Sequence, residues 1–339
     1  MLTQIINGRI FTPQGWLNEG SVLMRDRKIL EVTNCDLALI GARLIDAKGM
    51  YIVPGFVCMH AHGGGGHDFN ECTEEAFRSI IDAHLAHGAT SFYPTISSSP
   101  FDKLHQAAKV CEQLMAEPDS PVLGLHIEGP YLNRKMAGEQ FAEHVNRELV
   151  ESTRCIRRWD ASPELPGALE FASYLREKGI LAAVSHTEAE YDGIRAAYEA
   201  GFTHAAHFYN AMPGFHKRRE YKYEGTVESV YLTDGMTIEL IADGIHLPST
   251  ILKLAYKLKG VEHTCLVTDA LSCAATEGKE INDPRYIIED GVCKLADRSS
   301  LAGSIATMDV LVRTMAKAGI PLGDALRTAS ETPARIMGG

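Results

Sequence analysis

The chain has 339 residues, of which 45% are hydrophobic and 23% charged, a balance that suits one large domain with an appendage or two ordinary domains. Its formal net charge of -11 argues against nucleic acid or an anionic membrane surface as the main partner, so an anionic ligand would need a local cationic patch. No apolar run is long enough to span a bilayer, no charged-then-apolar leader opens the chain, and eight cysteines without paired spacing read as reduced thiols, so the expected compartment is the cytoplasm.

Residues 1–50 read as a small β module: short strands over 4–11, 20–24 and 28–32, separated by Pro13, Gly15, Asn18 and a turn at Asp26-Arg27. From Tyr51 onward the pattern becomes strand, then helix, repeatedly. A strand over 56–62 leads to a helix over 74–87, on which Phe77, Ile80, Ile81 and Leu85 share a face. Further strands are expected over 90–96, 122–128, 155–161, 181–186, 204–207, 237–243 and 264–269, with helices over 102–115, 191–200 and 248–259. The Asp290-Gly291 pair predicts a hairpin across 286–294. Eight strands alternating with helices predict an α/β fold: a closed parallel (β/α)8 TIM-like barrel over 51–339 beside a small sandwich-like β domain over 1–50.

The chemistry gathers at the strand ends. In His60-Ala61-His62, two imidazoles two residues apart share one face of a strand end, and neutral imidazoles converging on a point suit a transition metal. The four glycines at 63–66 let the backbone turn sharply beside them. Glu128, His186, His207 and Asp269 stand at the ends of other predicted strands. A parallel barrel opens all strand C-termini onto one face, so these distant residues are expected to converge on a divalent metal. His126 shares a face with Glu128 and reads either as a partner to it or as a structural residue; His67, His84, His87 and His105 receive no chemical role.

Several motifs together resemble the N-acetylglucosamine-6-phosphate deacetylases of the amidohydrolase superfamily. They are Pro54-Gly55-Phe56 before the His-x-His pair, Leu125-His126-Ile127-Glu128-Gly129-Pro130, Val184-Ser185-His186-Thr187, His207-Phe208-Tyr209-Asn210-Ala211-Met212, Ile241-Ala242-Asp243-Gly244-Ile245-His246 and Thr268-Asp269-Ala270. The likeness runs to Thr332-Pro333-Ala334-Arg335. It implies that Glu128, His186 and His207 hold a metal, and His60 and His62 make a second one feasible. Glu128 takes a position that many superfamily members fill with a carboxylated lysine. Zinc or iron is expected, with cobalt and manganese as alternatives, at one or two ions per subunit.

The same resemblance makes Asp269 the general base and acid, and His246 a hydrogen-bond donor to the sugar or the developing oxyanion. Substrate contacts are implied for Glu139, Gln140, Asn210, Ala211, Asp243, Leu301, Ala302 and Gly303. The basic stretch His216-Lys217-Arg218-Arg219 is the cationic patch for a phosphate, with Arg218 or Arg219 as the bidentate ligand. The expected reaction removes acetate from N-acetylglucosamine 6-phosphate. The alternatives are the galactosamine epimer, another superfamily reaction on a cyclic amide or D-acylamino acid, or a non-catalytic metal-binding barrel. A homodimer is implied. The family carries strands after the Thr-Pro-Ala-Arg helix that return to the N-terminal β domain, and these are expected to be missing from a sequence ending at Gly339.

Overall fold

The computed structural model describes residues 1–26, 28–35, 39–133, 135, 147–276 and 283–338. It divides into two compact units, Met1–Gly55 and Phe56–Gly339. In the first, four strands pair in the order Lys28–Thr33, Ser21–Arg25, Leu2–Ile6 and Arg43–Asp46, and three more in the order Gly15–Leu17, Arg9–Thr12 and Tyr51–Ile52. The single strand expected over 4–11 is two, because Asn7 takes a left-handed φ of 57° and turns the chain between them. A Cβ at the neighbouring Gly8 would lie 2.5 Å from the Ile52 side chain, which would have to shift to admit a larger residue.

The second unit is a ring of parallel strands. Phe56–Cys58 pairs with Ala89–Phe92, and a seven-stranded sheet runs from Thr95–Ser97 through Leu125–Glu128, Ile156–Ala161, Leu181–Val184, Phe202–Ala205 and Thr237–Leu240 to Thr264–Leu266. The segments Ala89–Phe92 and Thr95–Ser97 are one barrel strand, interrupted at Tyr93-Pro94 because proline has no N–H to give the ladder. The Asp269 amide donates to the His60 carbonyl at 3.0 Å and the His62 amide to the Ala270 carbonyl at 2.9 Å, which joins the eighth strand to the first. The expected eight-stranded barrel is therefore present. Its sixth strand begins two residues earlier than the sequence suggested, at the buried Phe202, and leaves His207 beyond its end.

Helices Glu74–Leu85, Phe101–Met115, Ala168–Glu177, Tyr191–Ala200 and Ser249–Lys259 alternate with these strands. Phe77, Ile80 and Ile81 line the buried face of the first, and Phe77 packs edge-on against Phe69 with ring centroids 4.7 Å apart. Leu85, expected on that face, is largely exposed at the helix end. The hairpin of Tyr286–Glu289 and Val292–Leu295 turns at Asp290 and Gly291, both at positive φ (55° and 76°), as an Asp-Gly turn requires. Inside the ring, polar residues replace the usual aliphatic filling: His126, Arg158, Asp160, His204 and Glu239 have no exposed surface.

Phe77→Ala, which empties a fully buried aromatic site, is expected to destabilise the barrel by about 3–5 kcal/mol. A drop in the urea midpoint at unchanged slope, followed by circular dichroism, checks it.

Candidate metal centre

Each proposed ligand leaves the ring at the end of a strand. His60 and His62 follow Phe56–Cys58, Glu128 closes Leu125–Glu128, His186 and His207 lie two residues past their strands, and Asp269 three past Thr264–Leu266. His186, His207 and Asp269 sit at left-handed φ (46°, 28° and 47°), a conformation that costs roughly 1 kcal/mol or more for a residue with a Cβ. The surrounding backbone enforces it: the Asn210 amide returns to the His207 carbonyl at 2.8 Å, and the Ser304 amide to the Asp269 carbonyl at 2.7 Å.

The side chains meet at close range. Glu128 Oε1 lies 3.1 Å from His207 Nε2 and 3.3 Å from His186 Nε2, while Oε2 lies 3.1 Å from His62 Nε2. His186 and His207 face each other Nε2 to Nε2 at 3.1 Å, and His60 and His62 at 3.3 Å. Asp269 Oδ1 completes the group, 3.2 Å from His62 Nε2 and 3.6 Å from His60 Nε2.

The donor set asks for a cation. His207 Nδ1–H donates to the Asn210 carbonyl at 3.1 Å, and His60 Nδ1–H to the Glu239 carboxylate at 3.0 Å. In neutral imidazole this leaves Nε2 of both rings as lone pairs aimed at other lone pairs and at a carboxylate. Such a cluster favours positive charge among it, and it fits a divalent ion with nitrogen and oxygen ligands. Glu128, His186 and His207 form one such set and His60, His62 and Glu128 a second. Without the ion, protons answer the same demand. Burial would push the His207 imidazole down, but the Glu128 carboxylate beside it outweighs this and lifts it to about 9; His62 rises likewise against its burial through Asp269 and Glu128. Burial raises Glu128 itself, and the hydrogen bonds from His186, His207 and His62 more than reverse that.

Two further groupings of potential ligands, His60 with His126 and Asp160, and His204 with Glu239 and Cys265, lie deeper in the ring. Arg158 already supplies the cation there: it forks onto Asp160 through Nε and Nη2, both at 2.7 Å, and reaches Glu239 through Nη1. His126 stands beside this pair, Nε2 3.0 Å from Asp160 and Nδ1 2.9 Å from Thr95 Oγ1. Sequence reasoning missed Arg158, Asp160 and Glu239. Glu239 left a signal, a lone carboxylate within the apolar run Ile238-Glu239-Leu240-Ile241, where an unpaired charge is untenable.

His246 is part-buried, with Nδ1 2.6 Å from Asp243 Oδ2 and Nε2 2.8 Å from the Ala302 carbonyl. Both ring nitrogens face acceptors, which favours the doubly protonated ring; burial opposes this and the Asp243 carboxylate outweighs it, so the imidazole is raised above its ordinary range. Asp243, expected at the substrate, is thus engaged with His246 and with the backbone amides of Ile245 and His246, at 2.9 and 2.8 Å. Gly303 lies against the Asp269 loop, where a Cβ would come within 2.6 Å of the Asp269 carbonyl, while Leu301 is partly exposed. Asn210 and Ala211 (φ 51°) lie three and four residues after His207, and the Ala211 carbonyl accepts from the Thr187 amide at 3.2 Å. Arg218 is exposed on the hairpin of His216–Arg218 and Tyr221–Tyr223, paired with Glu190 and stacked 4.5 Å above Tyr223; Arg219 is exposed at the turn. Glu139 and Gln140 lie outside the described residues.

Residues 51–339 match the model of the amidohydrolase family. The chain belongs to the amidohydrolase family. It is 29% identical over 327 residues to an N-acetylglucosamine-6-phosphate deacetylase of Lysinibacillus sphaericus, covering 92% of this chain and 82% of that protein. Against an N-acetylgalactosamine-6-phosphate deacetylase of Escherichia coli O157:H7 it is 28% identical, covering 99% and 90%. The crystal structure of an N-acetylglucosamine-6-phosphate deacetylase from Pasteurella multocida superposes with a TM-score of 0.91 at 28% identity, covering 100% of this chain and 90% of that one. Among the described residues of this amidohydrolase, no helix is long and apolar enough to cross a membrane.

Metal and protons are expected to compete for this site. The His207 imidazole is raised from 6.5 to about 9 in the folded chain, so its protonation favours the fold; that contribution is complete below pH 6.5 and lost as pH rises through 9. Chelator-treated protein should therefore show a falling melting temperature across this window. With excess zinc the trend should reverse, because deprotonated imidazole binds the ion. Calorimetric melts at both ends of the window, with and without zinc, check it.

Proposed function

We propose that this amidohydrolase removes the acetyl group of N-acetylglucosamine 6-phosphate, giving glucosamine 6-phosphate and acetate. The observation that carries the reading is the convergence of Glu128, His186, His207, His60 and His62 with Asp269 at one barrel mouth. A divalent ion held by those ligands, zinc or iron in this reading, supplies Lewis acidity, lowering the pKa of water toward neutrality and polarising a carbonyl oxygen.

The remaining work falls to the protein. Asp269 is buried yet held below the usual carboxylate range, since burial is outweighed by the hydrogen bond from His62 and by the electrostatic pull of the neighbouring imidazoles. It is ionised at neutral pH and can accept the proton of an attacking water. It then returns that proton to the nitrogen, which departs as an amine and not as an amide anion. His246, aimed by Asp243, offers Nε2–H to a sugar hydroxyl or to the oxyanion, in exchange for the Ala302 carbonyl it now holds. Arg218 and Arg219 provide the charge for the 6-phosphate, Arg218 by leaving Glu190 or Arg219 from the turn. Glu139, Gln140, Asn210, Ala211 and residues 301–303 complete the sugar contacts in this reading. A homodimer and a cytoplasmic location belong to it as well, and eight free cysteines support the latter.

The likeness to a galactosamine-specific deacetylase favours one second reading, the same cleavage on the epimer. Acetate release from N-acetylglucosamine, its 6-phosphate and N-acetylgalactosamine 6-phosphate, each offered to the zinc-loaded chain, separates the two. The phosphorylated glucosamine derivative should turn over fastest; preference for the epimer would replace the first reading with the second, and release from none would end both. Asp269→Asn should keep its metal and lose roughly 100-fold or more in kcat. Replacing the phosphate-binding arginine with alanine should raise KM for the phosphorylated sugar about 10- to 100-fold and leave the unphosphorylated sugar unchanged. Comparing Arg218→Ala with Arg219→Ala identifies which residue it is.

A further inference from the structure

Glu239 stands in the strand Thr237–Leu240 with no exposed surface, beneath the proposed metal ligands. Its carboxylate oxygens meet four neighbours, three of them as hydrogen-bond donors. Oε2 accepts His60 Nδ1–H at 3.0 Å and the His207 backbone amide at 3.0 Å, while Oε1 takes Arg158 and lies 3.2 Å from His204 Nε2. Arg158 is in turn fixed by its fork onto Asp160. One carboxylate thus reaches a ligand from each proposed metal position: the ring of His60 and the backbone of His207.

The consequence differs for the two positions. His207 has a second anchor, its own Nδ1 on the Asn210 carbonyl, which fixes its ring without Glu239. His62 rests on the Ser97 hydroxyl at 2.9 Å, a group that donates or accepts and so dictates no tautomer. Among the described residues His60 Nδ1 meets Glu239 alone, and an ionised carboxylate can only accept. The proton must therefore sit on Nδ1, which turns the Nε2 lone pair toward His62 and Glu128.

We propose that Glu239, braced by Arg158, is a positioning residue that sets His60 as an Nδ1–H imidazole and so creates the metal position of His60 and His62, leaving that of Glu128, His186 and His207 to other anchors. This rests on the reading of the cluster as a metal site. A His-x-His pair alone does not define a second ion's place; the buried carboxylate beneath it does.

The test counts zinc bound to the full chain by mass spectrometry and measures its affinity by chelator competition, for wild type, Glu239→Gln, His60→Asn and the double variant. Wild type should bind two ions. Glu239→Gln brings an amide N–H toward either His60 or Arg158, and should weaken one ion by roughly 10- to 100-fold while the other is held as in wild type. His60→Asn should lose the same ion, and the double variant should lose no more than His60→Asn. Wild-type affinity for both ions in Glu239→Gln, equal weakening of both, or additive losses in the double variant would each overturn the proposal. If Glu239→Gln does not fold, Glu239→Asp reads the same quantity: it keeps the charge beside Arg158 and withdraws it from His60 by one methylene. A wild type that binds no zinc would instead sink the metal reading itself, and one that binds a single ion would sink only the positioning role.

Discussion

Glu128 meets three imidazole nitrogens, those of His62, His186 and His207, within 3.3 Å in a space almost closed to water, and the rest of the barrel mouth is arranged around that encounter. A carboxylate and imidazole lone pairs do not attract one another; a positive charge among them stabilises the cluster. The left-handed backbone at His186, His207 and Asp269 brings the side chains to that point, and the backbone hydrogen bonds closing the eighth strand onto the first hold Asp269 at its edge. Fold and site are therefore linked through strand ends, where a parallel barrel collects residues that the sequence keeps far apart.

Below this layer lies a second electrostatic arrangement. Arg158 between Asp160 and Glu239 leaves one excess negative charge in a fully buried region, beside His60, His126 and His204. Buried ion pairs of this kind contribute little net stability compared with aliphatic packing, yet removing one partner leaves a charge uncompensated. Their value here is orientation. Glu239 faces the His60 ring, and Arg158 holds Glu239 and Asp160 together from strand Ile156–Ala161.

The sequence disclosed the strand-end residues because alternating apolar strands and helices are periodic signals, and because histidine and glutamate at matching positions in several units are hard to explain otherwise. It placed the sixth strand two residues late, since His204-Ala205-Ala206-His207 reads as an element when its second half is already the loop that bends His207 into place. The interior network stayed hidden for a different reason. Arg157-Arg158 looks like a solvated pair, and only the alternation of the strand sends Arg158 inward. Asp243 was legible as a residue near the site, but its engagement with His246 depends on a tight turn that composition does not announce.

Anomalous diffraction from crystals of the zinc-loaded chain tests the central claim most directly. A peak bonded to Glu128 Oε1, His186 Nε2 and His207 Nε2 at about 2.0–2.2 Å is the expected result. A map in which those atoms carry no metal, and the imidazoles instead pair with Glu128 as protonated rings, would contradict the account.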